Sequence, residues 1–213
     1  HICPCRPDTF SLLLNADTEY HHMTAFFLAT ALVALAEMGD KTQLLAFLLA
    51  ARFRKPIPII LGILVATLLN HAAAGAVGVY ISQMIGQETM RWLLGIGFLL
   101  MAVWLLIPDQ LDDNTETKES RFGVFGTTVI AFFLAEMGDK TQIATVALSA
   151  KSIEDFVRVI AGTTGGMMLA NVPAVYLGNH FAQKLPIRWI HAIAASIFAA
   201  IGVFILFGKT GWF

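Results

Sequence analysis

Six apolar runs, each near the length needed to cross a bilayer, constrain this chain more than any other feature. They cover roughly 24–51, 57–82, 92–107, 123–149, 157–181 and 189–208. About 20 consecutive apolar residues, wound as a helix, span the hydrocarbon core. In lipid every backbone polar group must be satisfied internally, which leaves only helices and closed barrels. The runs lack the apolar–polar alternation of a barrel strand. The expected fold is therefore an all-α, polytopic membrane protein with six transmembrane helices. Composition agrees: 57% of the 213 residues are hydrophobic and 14% are charged, against about 25% charged in soluble domains. A net charge of −1 gives no electrostatic basis for a nucleic-acid partner.

Within this apolar chain the stretch "LAEMGDKTQ" occurs twice, at 35–43 and 134–142, identical and shifted by 99 residues. The likeness of the two halves extends further. "ATLLNHAAAG" in the second run and "GMMLANVPAV" in the fifth place Asn70 opposite Asn171, and the third and sixth runs open on "RWLLG" and "RWIHA". Matched positions at similar offsets point to one duplication, with a unit three helices long. Three is odd, so the second unit must enter the membrane from the side opposite to the first. The expectation is two inverted three-helix repeats with a binding site between them near the midplane.

The chain divides accordingly into a first repeat at 23–107, an acidic linker at 108–121 ("PDQLDDNTETKES" and Arg121) and a second repeat at 122–213. Residues 1–22 are polar and mixed, and include Cys3 and Cys5. They are expected to be a tail, disordered or not native, with Met23 as the natural start. Seven Lys/Arg (Arg52, Arg54, Lys55, Lys118, Arg121, Lys184, Arg188) fall on the side of loops 1–2, 3–4 and 5–6, and five (Arg6, Arg91, Lys151, Arg158, Lys209) on the other. The positive-inside rule makes the first side cytoplasmic and puts both termini outside.

The interiors of the second, third, fifth and sixth helices carry no formal charge. Helices one and four carry Glu37, Asp40 and Lys41, and Glu136, Asp139 and Lys140. A charge at the bilayer centre costs from about 2.5 kcal/mol upward, so such residues mark function. Glu37 and Asp40 stand at i and i+3, on one face of a continuous helix, and Lys41 stands at i+4 from Glu37 and can pair with it. Glu136, Asp139 and Lys140 repeat the pattern. Thr42, Gln43, Thr141 and Gln142 add neutral oxygens. Gly39 and Gly138 permit close backbone approach or a local break that exposes carbonyls. Four acids and two lysines sum to −2, the charge that one divalent cation neutralises. An all-oxygen ligand set suits Mg²⁺, Ca²⁺ or Mn²⁺ rather than Cu⁺ or Zn²⁺. The candidate ligands are thus Glu37, Asp40, Glu136, Asp139, Thr42, Gln43, Thr141 and Gln142, with Asn70 and Asn171 supplying further carbonyls. Lys41 and Lys140 balance charge in the empty site. Buried ion pairs that only fix helix packing are the competing reading of one such motif. Two in symmetric positions favour transport. His71, beside Asn70, has an apolar counterpart in Val172, and His180 and His191 near helix ends read as interfacial or packing residues. The chain has no HExxH, GxSxG or Gly-rich phosphate loop, so neither an enzyme nor an ATP-driven pump is expected.

"AEMGDKTQ" in both halves, together with "MMLANVPAV" at 167–175, resembles the Golgi-type cation/proton transporters, the transmembrane protein 165 family, and its branch of bacterial manganese exporters. The resemblance covers about 23–208. It implies six helices in two inverted repeats and a multi-pass protein of a bacterial inner membrane. It also implies export of Mn²⁺, and in some members transport of Ca²⁺, in exchange for protons. The family's acidic motif residues fall on Glu37, Asp40, Glu136 and Asp139. No resident cofactor is implied; the partners are the transported cation, protons and the bilayer, and nothing indicates an oligomer. A divalent cation channel, a Ca²⁺/H⁺ antiporter with Mn²⁺ secondary, and a scaffold subunit are the alternatives.

Overall fold

The computed structural model describes residues 9–107, 123–150, 155–177 and 187–208. The linker expected at 108–121 lies outside the described residues. Eight helices are present among them, and no strand: α1 (Thr9–Glu37), α2 (Lys41–Phe53), α3 (Pro56–Met84), α4 (Gln87–Leu105), α5 (Gly123–Glu136), α6 (Lys140–Ala150), α7 (Phe156–Leu177) and α8 (Ile187–Phe207). Of these, α3, α4 and α8 are long and apolar enough to cross a membrane. A fourth span results if α1 and α2, bent by 71° at a short break, count as one. The first and fourth apolar runs, read from sequence as single helices, are therefore each two. The breaks fall inside the duplicated nonapeptide. Gly39 (φ 84) and Gly138 (φ 74) adopt the left-handed conformation, which costs an L side chain about 1–2 kcal/mol and glycine little. The helix stops there, as at a glycine C-cap.

Each break is rebuilt in the same way. Asp40 takes an extended conformation as N-cap of α2. Its backbone N–H donates to Glu37 O at 3.1 Å, and Asp139 N–H donates to Glu136 O at 3.1 Å. Gly39 N–H donates to Gln43 Oε1 at 2.9 Å and Gly138 N–H to Gln142 Oε1 at 2.8 Å. The third residue of the new helix reaches back to an orphan donor, much as in a capping box. Asp40 makes no side-chain capping hydrogen bond; its carboxylate pairs with Lys140 instead.

Glycines set the helix directions. Gly162 of α7 lies against Phe26 and Ala29 of α1, and Gly166 against Thr30 and Val33, so α1 and α7 run the same way. Gly62 lies against Phe125 and Thr128, and Asn70 reaches Phe133, so α3 and α5 also run together. Gly75 lies against Phe156 and Ile160, while Ile59 and Ile63 share a core with Ala174 and Val175. Hence α3 and α7 oppose each other, and α1 and α5 run in opposite directions. Helices α4 and α8 are antiparallel, with Gly95 against Leu206 and Phe98 against Phe198.

Two apolar cores result. One joins Leu32, Phe98, Leu105, Ala144 and Phe198, from α1, α4, α6 and α8. The other joins Leu45, Ile63, Phe132 and Ala174, from α2, α3, α5 and α7. The outer surface is also apolar. Leu61, Leu69, Leu100, Val103, Phe204 and Phe207 are all exposed, while the buried set includes Glu37, Asp40, Glu136, Asp139 and Lys140. Greasy outside and charged inside is the distribution a bilayer solvent imposes.

Candidate metal centre

The two helix breaks bring the duplicated charges together. Glu37, Asp40 and Asp139 each place one carboxylate oxygen within 4.8 Å of the other two. Two ligands of one ion at about 2.3–2.6 Å are separated by at most about 4.6–5.2 Å, so the spacing is compatible with one shared cation of that size. All three acids are buried.

The lysines cross between the halves. Lys140 Nζ lies 2.7 Å from Asp40 Oδ1, and Lys41 Nζ lies 3.2 Å from Asp139 Oδ1. The pairing expected from the sequence, Lys41 with Glu37 one helical turn away, does not form. It presumes a continuous helix, and the left-handed glycine removes the i,i+4 relation. Each lysine instead neutralises the aspartate of the other copy. This ties the halves together and holds both acids in the absence of an ion. Helix ends add to the local field. The C-terminus of α1 ends on Glu37 and the N-terminus of α2 begins after Asp40. The α2 N-terminus favours the Asp40 carboxylate, while carbonyls left at the end of α1 favour a cation.

The neutral candidates divide by what they touch. Thr42 Oγ1 donates to Glu37 Oε2, and Glu37 Oε1 has no hydrogen-bond partner. Thr141 Oγ1 donates to Asp139 Oδ2 at 3.2 Å. Gln43 is used at both ends: Oε1 accepts from Gly39, and Nε2 donates to Ala170 O at 2.9 Å. Gln142 Oε1 accepts from Gly138. Glu136 is not among the three converging acids. It accepts from Thr67 Oγ1 at 2.7 Å and from Asn70 Nδ2 at 3.2 Å. Asn70 Nδ2 also donates to Phe133 O at 3.0 Å. Asn171 does not mirror Asn70: its Nδ2 donates to Met167 O at 3.0 Å, and its Oδ1 has no partner.

Two residues outside the predicted ligand set contact the broken motifs. Thr67, one turn before Asn70, holds Glu136. His191 Nε2 donates to Met38 O at 2.6 Å, so α8 covers a carbonyl freed by the break in α1–α2. Sequence reading placed His191 near a helix end, in an interfacial or packing role. Its signal was a ring donor aligned, in the repeat, with Leu94, an asymmetry that becomes meaningful only once the break is known. His71 is buried with neither ring nitrogen hydrogen-bonded.

Comparison with known proteins identifies the family. A family model described as "Divalent cation/proton antiporter GDT1" matches twice, at residues 25–113 and 124–212. A protein of Vibrio cholerae serotype O1 named "Putative manganese exporter" is 47% identical over 189 residues, covering 89% of this chain and 94% of its own length. GDT1-like protein 3 of Oryza sativa subsp. indica is 26% identical over 84% of this chain and 72% of its own length. A GDT1-like protein of Synechocystis sp. is 26% identical over 85% and 96%. No solved structure matches. An apolar helical chain with a buried carboxylate cluster and two matches to one model is an integral membrane protein, and it belongs to the GDT1 family of divalent cation/proton antiporters.

Proposed function

We propose that this protein exports Mn²⁺ from the cytoplasm across a bacterial inner membrane in exchange for protons, with its binding site in the duplicated E-x-G-D-K-T motifs. The observation that carries this reading is the convergence of Glu37, Asp40 and Asp139, braced by the two crossed lysine–aspartate pairs. Carboxylate and hydroxyl oxygens are hard ligands suited to Mn²⁺ and Ca²⁺. Mn²⁺ is favoured by the name of the Vibrio cholerae relative, with Ca²⁺ as the second substrate.

A protonated carboxyl cannot hold a cation in the same way, so protons and cation compete for the same oxygens. Binding an ion displaces the protons on these carboxyls, and reprotonation releases the ion. Coupling then needs no second site. Lys140 and Lys41 hold Asp40 and Asp139 while the site is empty, limiting the cost of an unoccupied anionic pocket. We read the chain as six spans in two inverted repeats, 23–107 and 122–213, with α1–α2 and α5–α6 each a broken span. The opposite directions of α1 and α5 and the paired glycine breaks support this layout. Rocking of one repeat against the other would then expose the cluster to each side in turn.

The test is cation transport by purified protein in liposomes, with Mn²⁺, Ca²⁺ and Mg²⁺ in competition. Glu37→Gln, Asp40→Asn and Asp139→Asn should each reduce Mn²⁺ flux to background, and Glu136→Gln should do so too. Full flux in all four variants would refute the site. Single-channel conductance in bilayers would favour a pore instead.

A further inference from the structure

Glu37 and Glu136 occupy matching places in the two nonapeptides, yet their surroundings differ. Glu37 has one carboxylate oxygen without a hydrogen-bond partner and joins Asp40 and Asp139. Glu136 has both oxygens engaged, one by Thr67 at 2.7 Å and one by Asn70 at 3.2 Å. The difference originates in the sequence. Aligning Asn70 with Asn171 puts Thr67 opposite Met168. Methionine offers no O–H, and Asn171 directs its amide to Met167. Glu37 is held on one oxygen only, by Thr42 of its own motif, whereas α3 adds a hydroxyl to Glu136 that the matching position of α7 does not offer Glu37. Thr67 is fully buried, and Glu136, with both oxygens drawn to α3, lies outside the group of converging acids.

Resting on the reading of the cluster as the cation site, we propose that Thr67 is a positioning residue that parks Glu136 on α3, outside the set that takes the cation. The ion is received by Glu37, Asp40 and Asp139, and Glu136 joins or leaves that set during transport. Three carboxylates against Lys41 and Lys140 leave a net charge of −1; with Glu136 the sum is −2. The parked state is thus the looser site. Residues Thr67 and Asn70, both on α3, make the site asymmetric although the motifs are identical.

The experiment measures KM and Vmax for Mn²⁺ in liposomes, and Mn²⁺ affinity by calorimetry, for Thr67→Val, Thr67→Ser, Glu136→Ala and the Thr67→Val/Glu136→Ala double variant. Thr67→Val keeps the shape and removes the hydroxyl. It should lower KM and Kd about tenfold, equivalent to ~1.4 kcal/mol, and lower Vmax, because a freed fourth carboxylate holds the ion more tightly. Thr67→Ser should restore the wild-type values. In the Glu136→Ala background, Thr67→Val should change neither affinity nor rate. Unchanged or weakened affinity in Thr67→Val would overturn the proposal, as would a Thr67→Val effect that persists without Glu136. Should Thr67→Val fail to fold, Glu136→Ala decides alone: retained Mn²⁺ affinity with lost flux supports the parked position, and lost affinity contradicts it. Failure of the site itself shows separately, as unaltered Mn²⁺ affinity in Glu37→Gln.

Discussion

Lys140 is fully buried against Asp40, while Lys41, its counterpart, is 27% exposed beside Asp139. Breaking a buried pair by removing one partner leaves an uncompensated charge and costs about 3–5 kcal/mol; a partly exposed pair costs less, because water can replace the lost partner. Lys140→Met should therefore lower the melting temperature in detergent markedly more than Lys41→Met. Equal effects would contradict the geometry. Both lysines and all four acids were legible in the sequence, because charge in an apolar run is costly wherever it stands. Their partners were not. The spacing suggested Lys41 with Glu37, and only the glycine break sends it to the other half. Thr67 was invisible for another reason: threonine in an apolar helix is common, and its meaning depends on Glu136, 69 residues away.

At the scale of elements, glycine decides which helices approach closely. A Cβ built on Gly78 of α3 would stand 2.2 Å from Val146 O on α6, whereas one on Gly97 of α4 meets nothing within 4 Å. Gly78→Ala should force α3 and α6 apart and destabilise the protein. Gly97→Ala should stabilise it by up to ~1 kcal/mol, since alanine is the better helix former. Thermal melts of the two variants check this, and destabilisation by both would contradict the packing. Gly138 is a third case: a Cβ there is unobstructed, but φ is +74, so Gly138→Ala should cost about 1–2 kcal/mol through backbone strain alone. The apolar runs were legible element by element, since hydropathy reports burial in lipid directly. The division of the first and fourth runs was open in the sequence. Gly39 and Gly138 allowed either a close contact or a break, and spacing alone does not choose between them.

For the whole molecule, a surface of exposed leucine, valine and phenylalanine encloses a charged centre to which both halves contribute acids. Duplication was plain from the nonapeptide; the asymmetry between its copies was not, because it is set by α3, α4, α7 and α8, where the halves diverge at Thr67 and Met168 and at Leu94 and His191. In the proposed mechanism, competition of protons and cation for one cluster sets the sign of the pH effect. Mn²⁺ binding should weaken as pH falls, measured by calorimetry on purified protein, and Glu37→Gln should abolish it at every pH. The most direct check of coupling is Mn²⁺ flux into or out of proteoliposomes under an imposed pH gradient, with internal pH recorded at the same time. Mn²⁺ should move against the proton flow, reverse when the gradient is reversed, and stand still in Glu37→Gln. Flux indifferent to the gradient, or undiminished in Glu37→Gln, would contradict exchange at this cluster.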